Sequence, residues 1–190
     1  MKGAGSKAPL AIAHLLIVRR LALRSSLKVM FATRLERARA RMEADGIDVL
    51  MLSVGSDLPY FCGYEAMPLE RITMLVVPRD GHAPLVRPGP DGARLTARPE
   101  LFSVKGWGET EDPIAIIADL AGPAANVAIG DHMWAGFLVD LTSQMPNTSF
   151  RRASTITSPI RQVKDTEEIE RLRAAAAAVD RIAQRLQSGE

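Results

Sequence analysis

Cysteine is almost missing from this 190-residue chain. Cys62 stands alone, so no intrachain disulfide can form and a disulfide-stapled secreted scaffold is excluded. Histidine is nearly as scarce: His14, His82 and His132 are the full set. No H-x-x-x-H or H-E-x-x-H spacing places two of them on one helix face, as a zinc site built on a helix requires. The glycines supply neither a G-x-S-x-G nucleophile elbow nor a phosphate loop, because Gly3-Ala4-Gly5 and Gly106-Trp107-Gly108 do not complete such a pattern between strand and helix. No apolar run is long enough to cross a bilayer; the stretch from Ala8 to Val18 is about a dozen residues where about twenty are needed. Acids are absent from the first 35 residues, which hold seven of the 24 bases. The remaining 17 bases face all 22 acids, a balance of −5. The overall charge of +2 therefore conceals a mildly acidic body, and nothing supports a nucleic-acid-binding face.

Enough apolar residues are present, 47%, to close one sizeable core. Residues 1–29 read as a basic and apolar leader, either an Arg-rich presequence or, preferred here, a poorly ordered extension ahead of a fold that begins near Met30. From Thr33 the signals become regular. Thr33 and Glu36 form a capping-box pattern, Leu35, Ala38 and Met42 share a helical face, and Gly46 stands where a helix ends in the left-handed region. Ile47 to Val54 is a strand covered on both faces. Ile72 to Val77 turns at Asp80-Gly81 into Ala83 to Val86, a hairpin with a two-residue turn.

Residues 87–100 predict a loop with at most a short helix over 93–97, and Leu101 to Lys105 a short strand. Asp112-Pro113 opens a helix that Gly122-Pro123 stops. Val127 to Gly130 is a strand, Trp134, Phe137, Leu138 and Leu141 mark a helix face, and Phe150 to Ile156 predicts a last strand. A long helix then runs to about Gln187, with Asp165 as cap and Glu168 answering it. The fold class is α/β: a mixed sheet flanked by helices, followed by one long helix.

The candidate chemistry is sparse. Cys62 reads as a small packed residue rather than a nucleophile. Asp131-His132 suggests no third metal ligand, and Asp45 and Asp48 read as solvated charges. Glu167, Glu168 and Glu170 form an acidic first turn suited to a helix dipole. One segment is richer: Asp57-Leu58-Pro59-Tyr60-Phe61-Cys62-Gly63-Tyr64 has three rings within five residues, in a chain with 5% aromatics. It reads as a loop, either capping the core or serving an interface.

Asp57 to Tyr64 is similar to the N-x-x-Y-h-T-G-[FY] signature of the creatinase/prolidase family, with Asp57 in place of Asn and Cys62 in place of Thr. Arg161, Lys164, Glu168 and Ile169 match the family's junction into its catalytic domain, and Arg34 to Val54 its opening helix, turn and strand. The chain thus resembles the N-terminal domain of the Xaa-Pro peptidases with a "pita-bread" catalytic domain.

That resemblance implies a ribonuclease-H-like creatinase N-terminal domain over residues 30–160, with 161–190 as linker and first helix of an absent catalytic domain. It implies an accessory role in dimerisation and active-site closure for a Xaa-Pro dipeptidase or aminopeptidase. Tyr60, Phe61, Gly63, Tyr64 and Arg71 would form the interface or substrate-closing loop, and Arg161, Lys164, Glu168 and Ile169 the interdomain junction. No catalytic or metal-binding residue is expected in this chain, because the family's two divalent ions are held by two Asp, one His and two Glu of the catalytic domain. The partner would be a second subunit or that domain, with proline-containing peptides bound only at full length. A cytoplasmic location, without nucleic acid or membrane, fits the lone cysteine. The other readings are a stand-alone non-catalytic interaction module and the N-terminal domain of a creatinase-like amidinohydrolase.

Overall fold

The computed structural model describes residues 29–89 and 101–189. The expectations for a leader over residues 1–29, apart from its last residue, and for a short helix over 93–97 fall outside these ranges. The chain divides into two compact units, one ending at Thr157 and the other running from Ser158 onward.

The first helix, α1, is described over residues 29–45. It passes straight through Thr33, so the Thr33/Glu36 pattern does not mark its start. The apolar face explains this, because Phe31 is buried together with Leu35, Ala38 and Met42 and extends the stripe upstream. Its end is as the sequence predicts. Gly46 has φ 66°, and Ile47 N–H donates to Met42 O at 2.8 Å, the long bond of a Schellman cap.

Strand β1 (Val49–Leu52) is buried at every position. The aromatic segment is not a loop but a short helix, α2 (Asp57–Cys62), capped by Gly63 at φ 72°. Leu58, Phe61 and Cys62, spaced i, i+3, i+4, bury one stripe. Pro59 falls in the first turn, where its missing N–H has no intrahelical partner to lose.

The hairpin of β2 (Met74–Pro78) and β3 (Ala83–Pro88) forms as expected. Its turn differs. Leu75 pairs with Leu85 and Met74 with Val86; carried inward, that register leaves three residues at the turn, Arg79 to Gly81, rather than two. Gly81 at φ 85° takes the left-handed position such loops need.

Strand β4 (Phe102–Trp107) starts one residue later than predicted, extends to Trp107, and pairs parallel to β3. Helix α3 (Pro113–Ala121) follows, with Asp112 accepting from the Ile114 and Ala115 amides. After it come β5 (Asn126–Ile129), α4 (Ala135–Gln144) and β6 (Ser149–Arg152). The predicted strand over Phe150 to Ile156 is therefore cut short. Ala153 N–H gives the last ladder bond to Ile129 O, Ser154 N–H turns to Asp131 Oδ1, and α5 (Ser154–Gln162) begins, with Pro159 inside it. Buried Ala153, Ile156 and Thr157 repeat at helical rather than alternating spacing. Last is α6 (Thr166–Ser188), with the predicted capping box of Asp165 and Glu168 in place.

The six strands form one mixed sheet in the order β4-β3-β2-β1-β5-β6. β1 runs parallel to β5, and β5 parallel to β6, while β2 is antiparallel to both its neighbours. On one face Val49, Met51, Met74, Val76, Val127 and Ile129 pack with Ile114 and Ile117 of α3 and Leu141 of α4. The alternate residues Leu50, Leu52, Leu75, Val77 and Leu85 are also fully buried. A sheet covered on both faces accounts for the near-continuous apolar strands.

One acid holds the middle of this sheet in register. Asp48, just before β1, accepts from the Ala125 and Asn126 amides at 3.0 and 2.9 Å through Oδ2. Its other oxygen takes Arg79 at 2.8 Å. The expectation of a merely solvated Asp48 is thereby corrected. Its partners are 77 and 78 residues downstream, beyond the reach of local pattern.

Candidate functional site

The aromatic segment and the loop after it split into two kinds of residue. Phe61 and Cys62 belong to the core, being 0% and 3% exposed. The Cys62 thiol is spent on Leu58 O, one turn back, at 3.1 Å, as expected of a packed residue. Tyr60 is half-buried and held from above. The buried Arg34 of α1 donates to Tyr60 O at 2.8 Å and lays its guanidinium 3.8 Å from the Tyr60 ring centroid. Tyr60 in turn meets Phe61 edge-on at 5.1 Å, a favoured aromatic geometry.

Beyond Gly63 the chain leaves the helix and exposes apolar surface. Met67 is 71% and Leu69 48% exposed, with a tight turn closed by Leu69 N–H on Met67 O at 2.9 Å. Both ends of the segment are anchored. Arg87 of β3 sits 6.0 Å from the Tyr64 ring. Arg71 lies 4.9 Å over the Trp107 ring and pairs with Glu109 at 2.8 Å, while Trp107 Nε1–H donates to Ile72 O at 3.1 Å. Among the described residues the Nε atoms of Arg71 and Arg87 are buried without a hydrogen-bond partner; Arg71 is held by its ring contact and its Glu109 ion pair, and Arg87 lies against the Tyr64 ring. Cation–ring contacts of this kind contribute about 0.5–1 kcal/mol each where partly exposed.

Tyr64 and Arg71 therefore bracket a protruding apolar turn. The sequence reasoning named the brackets and missed Met67 and Leu69, as well as the Trp107 platform. The available signal was Met67-Pro68-Leu69 lying between Glu65 and Glu70, two large apolar residues where a loop would ordinarily be polar.

The junction residues are local to the second unit. The Arg161 carbonyl, at the end of α5, accepts from the Lys164 ammonium. Asp165 Oδ1 takes the Glu168 amide at 2.8 Å and Glu168 Oε2 the Asp165 amide at 3.0 Å. These bonds fix the start of α6, and they leave Ile169 38% exposed.

Among the described residues no group of three or more His, Cys, Asp or Glu side chains is placed to hold a metal ion. His132 packs against Gly55, whose added Cβ would come within 3.3 Å of it. Its neighbour Asp131 is committed elsewhere, to Arg152 Nε at 2.8 Å and the Ser154 amide at 3.1 Å. Burial works to raise the Asp131 pKa, but those hydrogen bonds and the Arg152 charge outweigh it and hold the carboxyl below its ordinary value of 3.8. The described residues thus supply no ligand set that fits a two-metal hydrolytic centre. Nor is any helix among them long and apolar enough to cross a membrane.

Known proteins agree with this arrangement. The family model for the creatinase/prolidase N-terminal domain matches residues 34–163. A probable dipeptidase PepE of Mycobacterium tuberculosis is 33% identical over 157 residues, covering 80% of this chain and 42% of its own length. Among solved structures, the dipeptidase PepE of Mycobacterium ulcerans superimposes with a TM-score of 0.69 at 30% identity, over 83% of this chain and 43% of its own. The recombinant prolidase of Thermococcus sibiricus shares the fold with a TM-score of 0.72 at 24% identity, over 84% and 44%. This chain spans about two fifths of the length of these relatives. With the family model matching residues 34–163, more than half of the chain, the chain belongs to the creatinase/prolidase N-terminal domain family.

Proposed function

We propose that this chain is the N-terminal accessory domain of a Xaa-Pro dipeptidase- or aminopeptidase-like metallopeptidase of the cytoplasm. Its part is to pair subunits and help close an active site that other residues carry, and alone it hydrolyses no Xaa-Pro bond. Two divalent ions would serve the catalytic domain of such an enzyme.

One observation carries this reading: the protruding turn from Tyr64 to Arg71. A core-capping loop would turn Met67 and Leu69 inward. Here they point outward from a segment anchored at both ends on β3 and β4, the arrangement of a preorganised contact. The dipeptidase relatives support the substrate class.

A chimaera tests it. Residues 34–163 of this chain replace the matching segment of the M. tuberculosis PepE homologue, and Xaa-Pro dipeptide hydrolysis and subunit mass are measured. The chimaera should be active and associated, and Met67→Ser with Leu69→Ser should cut activity at least about tenfold while leaving the circular dichroism unchanged. If the double variant keeps full activity and full association, the turn is not a closing or pairing surface. Turnover by the 190-residue chain alone with Mn²⁺ would overturn the accessory assignment itself.

A further inference from the structure

Strand β6 closes one end of the six-stranded sheet and is paired on one side, to β5. Ser149 N–H and Ala153 N–H donate to Ala125 O and Ile129 O, each at 2.8 Å. Successive amides of a strand point to opposite edges, so those of Phe150 and Arg152 face away from β5. Among the described residues neither amide finds a partner, and the Phe150 carbonyl is free as well. The Arg152 carbonyl accepts from the Thr155 hydroxyl at 2.9 Å, which ends the free stretch. Unpaired donors and acceptors of this kind form a template for one more strand.

The two faces beside this edge differ in chemistry. Phe150 packs on the α4 side with Met133 and Leu138, and the three line, with Ile129, a groove of about 610 Å³. Arg152 borders the same groove, but Asp131 neutralises it through a 2.8 Å bond to Nε. On the opposite face Arg151 is exposed, and its guanidinium reaches the Asn126 side-chain oxygen at 3.5 Å, the limit of a hydrogen bond. One side of the edge is therefore apolar, and the other carries a cation with no acid beside it. We propose that β6 is a docking edge for an extended, acidic segment of a partner protein, whose alternate side chains are apolar toward the groove and acidic toward Arg151.

Charge selects this occupant over the others. A second copy, paired two-fold about Phe150, would set the two Arg151 side chains diagonally across the new ladder, within reach of each other's charge. The chain's own first 28 residues hold six bases and no acid, and so carry the wrong sign for the same place. An acidic strand meets neither obstacle. Its carboxylates face Arg151, its apolar side chains cover the groove, and its backbone supplies partners to the Phe150 amide and carbonyl and the Arg152 amide. This edge is separate from the Tyr64–Arg71 turn and does not depend on its role.

Fluorescence anisotropy of a labelled eight-residue peptide of alternating glutamate and valine, titrated with the 190-residue chain, tests the proposal. The peptide should bind saturably. Its counterpart with lysine for glutamate, and a fully N-methylated form that cannot join a ladder, should each bind at least about tenfold more weakly. Arg151→Glu should weaken the glutamate peptide about tenfold and make the lysine peptide the preferred one, because the free charge beside the edge has changed sign. Arg37→Glu, at an exposed position of α1, and Met67→Ser with Leu69→Ser should leave binding unchanged, and circular dichroism should match in all variants. Hydrogen exchange followed by NMR should find the Phe150 and Arg152 amides unprotected in the free chain and protected once the peptide is bound. The peptide should also bind the PepE chimaera carrying residues 34–163, in which a catalytic domain is attached. No binding, no protection at Phe150 and Arg152, no reversal of preference in Arg151→Glu, or binding lost in the chimaera would each overturn the docking edge. Protection of those two amides that grows with chain concentration alone would overturn it in favour of a second copy.

Discussion

Replacing Asp48 should be among the most damaging single changes at a partly exposed position of the first unit. Its Oδ2 holds two backbone amides, Ala125 and Asn126, at the head of β5, and its Oδ1 holds Arg79 beyond β2. Hydrogen bonds to a charged acceptor are worth about 1.5–3 kcal/mol each where buried. The Asp48 side chain is 26% exposed, and water can reach the freed Ala125 amide. Discounting for that, Asp48→Ala should cost about 2–3 kcal/mol, or roughly 6–12 °C in Tm for a domain of this size.

The Arg79 contact is a half-exposed ion pair, for which about 0.5 kcal/mol is the expectation, so Arg79→Ala should lower Tm by roughly 2 °C. Asp48→Asn retains an acceptor for the amides but turns an amide group toward Arg79, and should fall between the two. Urea titrations followed by circular dichroism, with m-values compared, measure all three. If Arg79→Ala costs as much as Asp48→Ala, the ion pair rather than the amide clamp stabilises the β1–β5 register, and the reasoning fails.

Three further outcomes are expected. Asp131, with its pKa held low, contributes stability that is complete above pH 3.8, its ordinary value, and is lost as pH falls through the lower folded value; urea midpoints from pH 6 to 3 should fall more steeply for the unaltered chain than for Asp131→Asn, and parallel curves would refute this. Arg34→Lys keeps the charge but loses the planar contact with Tyr60, so it should show most of the roughly 2 kcal/mol cost of Arg34→Ala; a fully tolerated lysine would show that charge alone matters. Gly46→Ala meets no neighbour within 4 Å, so its cost should be only that of the φ of 66°, about 1 kcal/mol, and a neutral substitution in the same titration would contradict the cap.

What the sequence determined by itself was local. The capping box at Asp165, the Asp112-Pro113 start, the Gly46 stop and the apolar β1 each depend on residues within five positions of one another, and all appear where they were expected. The family was also legible, because the Asp57–Tyr64 and Arg161–Ile169 patterns are compact. Tertiary structure decided the rest. Whether Tyr60 and Phe61 formed a loop or a helix depended on a core that could bury Leu58 and Phe61 together, and on Arg34 arriving from another helix. Phe150 to Ile156 holds only three apolar residues, Phe150, Ala153 and Ile156, too few for periodicity to place the end of the strand; Asp131, 23 residues away, captures the Ser154 amide where the β6 ladder ends. Asp48 looked solvated because its amide partners are 77 and 78 residues along the chain. Periodicity reports which face of an element is apolar. Only the assembled sheet settles which polar groups find one another, and which apolar residues, such as Met67 and Leu69, are left outside.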